Sequence, residues 1–130
     1  MLLTGDMEQE GEMRLLEHMK EAEETVLSMQ MDGVSEPVFS VGGVLRSLEV
    51  LKVSHHGSRT ASSEEFLSAL RPCISVISCG KNNRYGHPHT ETLETLYGVD
   101  CRVYRTDESG CVTVKVEKSG RIRVQRWCVP

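Results

Sequence analysis

Apolar residues recur along this chain with two different spacings. Between residues 8 and 31 they return every three or four positions among many Glu and Lys residues, which predicts an amphipathic helix with an acidic outer face. Elsewhere they form short runs rich in valine and isoleucine, which are typical of buried strands. Such runs predict strands over residues 2–3, 48–53, 73–79, 101–105, 111–116 and 121–127.

Polar and turn-forming residues separate these runs. Gly33 ends the long helix, and the Gly, Ser and Pro residues of 33–43 predict a loop or a weak strand. The stretch Ser-Ser-Glu-Glu at 62–65 predicts a second helix, capped by the Ser62 hydroxyl. A short third helix is predicted from about residue 90 to 97, and a turn at 107–110 is predicted to join two late strands.

Strands that alternate with helices, before a final run of strands, predict an α/β fold. The alternating valines of 111–116 and the Ile122–Val124 pair predict an antiparallel hairpin at the edge of a mixed sheet. A chain of 130 residues can bury one core, so we expect a single domain over residues 1–130.

Composition and charge narrow the possible classes of protein. A hydrophobic content of 38% and a charged content of 26% are typical of globular proteins, and no apolar run approaches the length of a membrane span. We also find no signal peptide, and we expect a soluble domain. The net charge of −4 argues against a protein that holds nucleic acid by bulk electrostatics alone. The five cysteines lie far apart, which favours small buried side chains over a disulfide framework or a zinc ribbon.

Side chains capable of chemistry follow directly after three of the predicted strands. These segments are 4–6, which ends in Asp6, then 54–58, and then the loop at 80–90. In open α/β sheets such strand ends meet along one edge, where ligands bind, so we expect the three segments to share a cleft. A carboxylate and imidazoles brought there from neighbouring strands are suitable ligands for zinc, manganese or iron.

Four of the five histidines lie in two of these segments, as the pairs His55–His56 and His87–His89. A Gly-Asp dipeptide alone is more typical of a turn, and a histidine pair alone can be a hydrogen-bonded structural pair, so the site hypothesis depends on the whole group. His18, on the long helix, is interpreted as a solvated residue. Three cations, Lys52, Lys81 and Arg84, either suit a phosphate-bearing substrate or are ordinary surface charge.

Four motifs together resemble a known family. They are Leu-Leu-Thr-Gly-Asp at 2–6, Leu-Lys-Val-x-His-His-Gly-Ser at 51–58, Asn-Asn-x-Tyr-Gly-His-Pro-His at 82–89 and Val-Tyr-Arg-Thr-Asp at 103–107. This pattern is similar to the carboxy-terminal part of a metallo-β-lactamase-fold domain. More narrowly, it resembles the hydrolase-like domain of ComEC, the DNA-uptake channel protein of competent bacteria, over most of the chain apart from residues 20–45.

The resemblance implies the second half of an αββα sandwich with a two-metal cleft. It implies that Asp6 bridges two metals, zinc or manganese, and that one histidine of the 55–56 pair ligates the second metal; we favour His56, with His55 in support. It also implies that Lys52, or the loop at 81–89, acts in catalysis by neutralising developing charge. The candidate substrate-binding residues are His55, Ser58, Asn82, Asn83, His87 and His89.

The sequence also departs from the family pattern. The motif His-x-His-x-Asp-His, which should precede this segment, is absent, so we expect a fragment equivalent to the C-terminal half of the domain, inactive when alone. The expected partners are DNA, the missing N-terminal half, or a second copy through an exposed sheet face, and the parent protein is expected in the bacterial cell membrane. The alternatives are a non-catalytic scaffold or interaction module of the same fold, and a metallo-hydrolase of the same superfamily that acts on small esters or lactones.

Overall fold

The computed structural model describes residues 1–30 and 48–127 of the chain. Within them, four strands form a parallel sheet in the order β1 (Leu2–Leu3), β2 (Val50–Lys52), β3 (Ile74–Ile77) and β4 (Arg102–Arg105). Helix α1 is Gln9–Gln30, α2 is Glu64–Leu70 and α3 is Thr90–Gly98. The α/β prediction is therefore confirmed at the level of a parallel sheet with helices.

One face of this sheet carries the core. Leu51, Val53 and Ile77 project from it and pack against Leu16 of α1, Leu96 of α3, and three residues of α2, namely Phe66, Leu67 and Leu70. All of these side chains are at most 5% exposed. The helices α1, α2 and α3 cover this face, as parallel strands joined by helices require. Because the four strands are parallel, their carboxyl ends lie along one edge of the sheet.

The opposite face of the sheet has a different composition. The strand register places Leu3, Lys52, Val76 and Tyr104 in one row across it, since neighbouring strands pair at these positions. Leu3 is 67% exposed, and Val76 and Tyr104 are half-buried. None of this row belongs to the described core cluster.

The prediction of a mixed sheet with an antiparallel edge is wrong. The last two strands, β5 (Cys111–Val116) and β6 (Ile122–Trp127), do form an antiparallel hairpin, but as a separate two-stranded sheet. The predicted turn at 107–110 is also wrong, because Thr106–Ser109 forms a short helix, α4, directly after β4. This helix lies between β4 and the hairpin, whose two strands pair with each other and with none of the four described parallel strands.

The predicted cap of α2 is off by one residue. Ser63, not Ser62, caps the helix, and its hydroxyl accepts a hydrogen bond from the Phe66 N–H at 3.3 Å. The buried Glu12 of α1 accepts from the backbone N–H groups of both Ser62 and Ser63. That carboxylate ties α1 to the start of α2 across the core, a contact that local sequence patterns do not reveal.

Three features predicted from sequence lie outside the described residues: the end of the long helix at Gly33, the loop or weak strand at 33–43, and the environment of Cys128. Two of the cysteines expected to be buried, Cys73 and Cys111, are exposed, whereas Cys101 is buried and Cys79 is half-buried. Among the described residues, no helix combines the length and the hydropathy needed to cross a membrane.

Candidate functional site

Three segments meet at the carboxyl edge of the parallel sheet, as the sequence predicts for such a fold. Residues 4–6 follow β1, the short turn Ser54–Gly57 follows β2, and the 78–89 loop follows β3. The His55 N–H donates to the Gly5 carbonyl at 2.9 Å, and the His89 N–H donates to the Gly57 carbonyl at 2.9 Å. Hydrogen bonds between backbone groups alone therefore join all three segments.

The two adjacent histidines reach the same cleft because their backbone is unusual. In an extended strand, successive side chains point to opposite faces. Here His55 and His56 both lie in the left-handed region, with φ of 45° and 56°. Non-glycine residues adopt this conformation at a cost of about 1 kcal/mol each, and such strain is concentrated at functional sites.

The next residue, Gly57, completes this turn and brings it against the 78–89 loop. Its φ is +83°, and a Cβ placed on it would lie 2.6 Å from Pro88 Cβ and 3.3 Å from Ile77 Cγ2. Only glycine allows this approach without displacing a neighbour. The glycine after the histidine pair therefore has a packing role between β3 and the loop.

A cavity of about 330 Å³ opens where these segments meet, lined by Asp6, His55, His56, Tyr85 and His87. A second cavity, of about 190 Å³, shares the last three of these residues and extends toward Cys79, Gly80 and Asn83. The structure thus brings Asp6 and both predicted histidine segments to one cleft, which we call the histidine cleft.

His87 lies at the centre of the aromatic contacts in the histidine cleft. Its ring centroid is 4.8 Å from that of His89, 5.7 Å from Tyr85, 5.9 Å from His55 and 6.5 Å from His56. Burial, together with the other imidazoles, lowers the pKa of His87 below the usual histidine value. His87 is therefore favoured as a neutral ring near neutral pH.

Both histidines of the 55–56 pair have a neighbour at Nδ1. His56 Nδ1 lies 2.6 Å from the Ser78 carbonyl oxygen, which can only accept, so Nδ1 carries the proton. His55 Nδ1 is buried and lies 3.4 Å from the Glu8 carboxylate, without a well-aligned hydrogen bond. In each case Nε2 is the nitrogen left for a ligand, an arrangement common for metal-binding histidines.

Two of the predicted substrate residues, Asn83 and His89, make hydrogen bonds that hold the loop in place. The Asn83 side chain donates to the carbonyls of Gly80 and His87 and accepts from the His87 N–H, at 2.6–2.9 Å. His89 precedes α3, and its Nδ1 accepts from the Arg59 N–H at 3.0 Å. A neutral His89 therefore carries its proton on Nε2, the opposite of His56.

The remaining predicted residues lie away from the cavity lining. Lys52 belongs to the row of residues on the second face of the sheet, and its backbone carbonyl accepts from the Thr4 hydroxyl at 2.7 Å. Ser58 is buried, with its hydroxyl 3.1 Å from that of Thr60. Asn82 is exposed with a φ of 57°, and His18 is exposed beside Glu21 as expected.

The donor types of the histidine cleft suit a transition metal, but their number is small. Asp6 has carboxylate oxygens, and His55 and His56 have imidazole nitrogens; Nδ1 of His56 is hydrogen-bonded and Nδ1 of His55 lies near Glu8. Within residues 1–30 and 48–127, however, no three His, Cys, Asp or Glu side chains converge closely enough to hold an ion. The described part of the chain therefore contains no complete metal site of its own.

The sequence-based hypothesis omitted Tyr85, although this residue lines the histidine cleft. Its ring stacks on His87 at an interplanar angle of 25°, and it is 61% exposed. The Arg84 guanidinium lies 4.8 Å from the same ring. An aromatic residue directly before Gly-His-Pro-His, in a polar loop, was the available signal.

Fold and site together define an α/β domain with a histidine-rich cleft at the carboxyl edge of a parallel sheet. Sequence comparison connects this domain to proteins of bacterial competence. The chain is 38% identical over 111 residues to ComE operon protein 3 of Bacillus subtilis (strain 168), which covers 85% of the chain and 11% of that protein. It is 34% identical over 101 residues to Recombination protein 2 of Haemophilus influenzae, covering 78% of the chain and 12% of that protein.

A third relative, Competence protein ComA of Neisseria gonorrhoeae, is 32% identical over 131 aligned residues, which covers 98% of the chain and 16% of that protein. The chain therefore spans between 11% and 16% of the length of these three relatives. No family model and no solved structure matches the chain.

Proposed function

We propose that this chain forms the C-terminal part of a metallo-β-lactamase-fold domain, with phosphodiesterase or nuclease activity, in a DNA-uptake protein of the ComEC type. The observation that carries this proposal is the histidine cleft, in which one carboxylate and three imidazoles from three separate segments line one cavity. Support also comes from the similarity of most of the chain to competence-related proteins.

The proposed metal ligands in this chain are Asp6 and His56, with His55 as the alternative to His56. A catalytic zinc needs at least three protein ligands, so the remaining donors are proposed to come from a preceding part of the complete domain. A bound zinc or manganese ion supplies Lewis acidity and a bound water that ionises near neutral pH. Asp6, by its charge, would hold the ions, and the proton on His56 Nδ1 would keep that ring oriented.

The loop beside the cleft is proposed to receive a nucleic-acid strand. Tyr85 is 61% exposed beside His87, and an exposed aromatic residue can stack on a base of any sequence. Arg84 and Lys81 lie in the same loop and can contact phosphates. This combination favours single-stranded DNA over a small ester or lactone, which needs neither a stacking surface nor flanking cations.

The parent protein is proposed to reside in the bacterial membrane and to present this domain to incoming DNA. The chain itself covers a small fraction of its relatives, so the membrane-spanning and DNA-conducting parts would lie elsewhere in such a protein.

The test compares the chain with a longer protein that includes the preceding segment of its reading frame. With Mn²⁺ or Zn²⁺ and labelled single-stranded DNA, we expect no turnover by the 130-residue chain and cleavage by the longer protein. Asp6→Ala should abolish that cleavage, whereas His18→Ala, on an exposed face of α1, should leave it unchanged.

Two results would contradict the proposal in different ways. Hydrolysis of small esters or lactones in place of DNA would move the domain to another activity of the same superfamily. If the longer protein folds but binds no metal and cleaves none of these substrates, the domain is a scaffold. A preceding segment without His-x-His-x-Asp-His would agree with that result.

A further inference from the structure

The peptide group that joins Ser78 to Cys79 lies between His56 and a residue of another element. Its carbonyl oxygen accepts from His56 Nδ1 at 2.6 Å, and its N–H donates to Thr106 Oγ1 at 2.9 Å. Since a peptide group is planar, its C=O and N–H have a fixed relative orientation. A hydrogen bond that fixes the direction of the Cys79 N–H therefore also fixes the direction of the Ser78 carbonyl, which His56 contacts.

Thr106 makes a second hydrogen bond to the same place. Its hydroxyl donates to the Cys79 carbonyl at 2.7 Å, so it holds the peptide groups on both sides of the Cys79 Cα. Strand β3 ends at Ile77 and strand β4 ends at Arg105, which places these contacts just beyond the last paired residues of the ladder. Beyond the end of β3, the Thr106 hydroxyl thus makes the hydrogen bonds that a neighbouring strand would otherwise make with the backbone of Cys79.

The residues on either side of Thr106 fix its position in turn. Arg105 and Asp107 form a paired contact, with Nε–Oδ1 at 3.2 Å and Nη2–Oδ2 at 2.7 Å. The Cys79 thiol donates to Asp107 Oδ1 at 3.1 Å. Both charged side chains are largely buried, with 21% and 13% of their area exposed, so this contact is better shielded than a surface pair.

We propose that Thr106 is a positioning residue that sets the tautomer and orientation of His56 through the Ser78–Cys79 peptide group. A hydrogen bond donated by the Cys79 N–H also polarises its own peptide group, which makes the Ser78 carbonyl a better acceptor. The consequence is that the neutral form of the His56 ring carries its proton on Nδ1 and its lone pair on Nε2. This inference deepens the proposed function, because a metal-ligating His56 needs that lone pair, but the tautomer exists without any metal.

The test is the tautomer of His56 in the metal-free 130-residue chain, read from long-range ¹H–¹⁵N correlation spectra at a pH where the ring is neutral. In the unsubstituted chain, we expect the His56 proton on Nδ1. Thr106→Val keeps the side-chain shape and removes both hydrogen bonds, and it should lower the ratio of Nδ1–H to Nε2–H forms about fivefold, the effect of one ordinary hydrogen bond. Thr106→Ser, which keeps the hydroxyl, should restore the original ratio.

The exposed His18 ring is an internal reference, and its signals should be the same in all variants. A proton on Nε2 of His56 in the unsubstituted chain overturns the inference without any variant. So does an unchanged His56 spectrum in folded Thr106→Val or, where that variant does not fold, in Thr106→Ala. Because the measurement needs neither metal nor DNA, its failure is distinct from failure of the nuclease assay.

Discussion

At the scale of single residues, the histidine cleft depends most clearly on Gly57. Gly57→Ala would place a methyl group 2.6 Å from Pro88 Cβ at a φ of +83°, so it should lower the free energy of unfolding. The left-handed backbone and the overpacking together should lower the free energy of unfolding by roughly 2–4 kcal/mol. Urea denaturation measures this free energy. The matched control is Gly98→Ala in α3, where a Cβ meets open space and stability should be unchanged or slightly higher.

The thiol of Cys79 should be unreactive although it lies beside the cleft. Burial and then the neighbouring Asp107 raise the pKa of Cys79 to about 11. At pH 8 only about one thiol in a thousand is then ionised, and the thiolate is the nucleophile. Timed iodoacetamide labelling with mass spectrometry should show Cys79 reacting far more slowly than the exposed Cys73 and Cys111. Equal labelling rates would contradict the buried Cys79–Asp107 contact.

The pKa of His87 predicts a loss of stability in mild acid. Because its pKa is lowered in the folded chain, the unfolded chain binds the proton more readily, and stability falls as the pH drops below the ordinary histidine value of 6.5. Chemical denaturation at pH 7.5 and 5.5 measures the fall, and it should be smaller in His87→Gln. If His87→Gln loses as much stability between pH 7.5 and 5.5 as the unsubstituted chain, groups other than His87 cause the fall.

At the scale of secondary-structure elements, Glu12 joins two helices. Its buried carboxylate accepts from the backbone N–H groups of Ser62 and Ser63, just before α2. Glu12→Ala would leave those two donors without this partner, which should cost roughly 2–4 kcal/mol of stability. Thermal and urea unfolding check this, with the exposed Glu17→Ala on the same helix as the control. Equal losses for the two variants would rule out a special role for the Glu12 carboxylate.

Most of the elements could be predicted because their signals are local. The period of α1, the valine-rich strands and the Ser-Ser-Glu-Glu start of α2 all depend on residues near one another in sequence. The errors arise where a residue distant in sequence determines the local structure. Where α2 begins, the distant Glu12 accepts from the N–H groups at 62 and 63, and Ser63 is the cap. At Thr106, hydrogen bonds to the distant Cys79 hold the start of a helix where a turn was predicted.

The same distinction applies to the candidate site. That Asp6 and the histidine pairs share a cleft could be predicted, because parallel strands bring their carboxyl ends to one edge. The loop-holding contacts of Asn83, the orientation of Lys52 and the participation of Tyr85 could not. Each depends on a side-chain direction fixed by register or loop conformation, which a single sequence does not specify.

At the scale of the whole molecule, the second face of the sheet predicts self-association of the chain. Leu3, Val76 and Tyr104 share a row with Lys52 outside the described core, and the apolar surface that the first three leave partly exposed favours burial against a partner. With no other protein present, the partner would be a second copy, so sedimentation should show a concentration-dependent dimer. Val76→Lys should shift it toward monomer, whereas Lys115→Ala on the exposed part of the hairpin should not. A strictly monomeric chain at all concentrations would contradict this.

The length of β1 has a consequence for how the cleft can come apart. This strand contributes two paired residues at the rim of the described sheet, and besides that pairing the Thr4 hydroxyl and the Gly5 carbonyl attach its end to β2 and to His55. The imidazoles, by contrast, are anchored to segments continuous with the core. A local unfolding of the first six residues would thus remove the Asp6 carboxylate from the cleft and leave the histidine side chains in place. Such local unfolding needs far less free energy than unfolding of the whole domain.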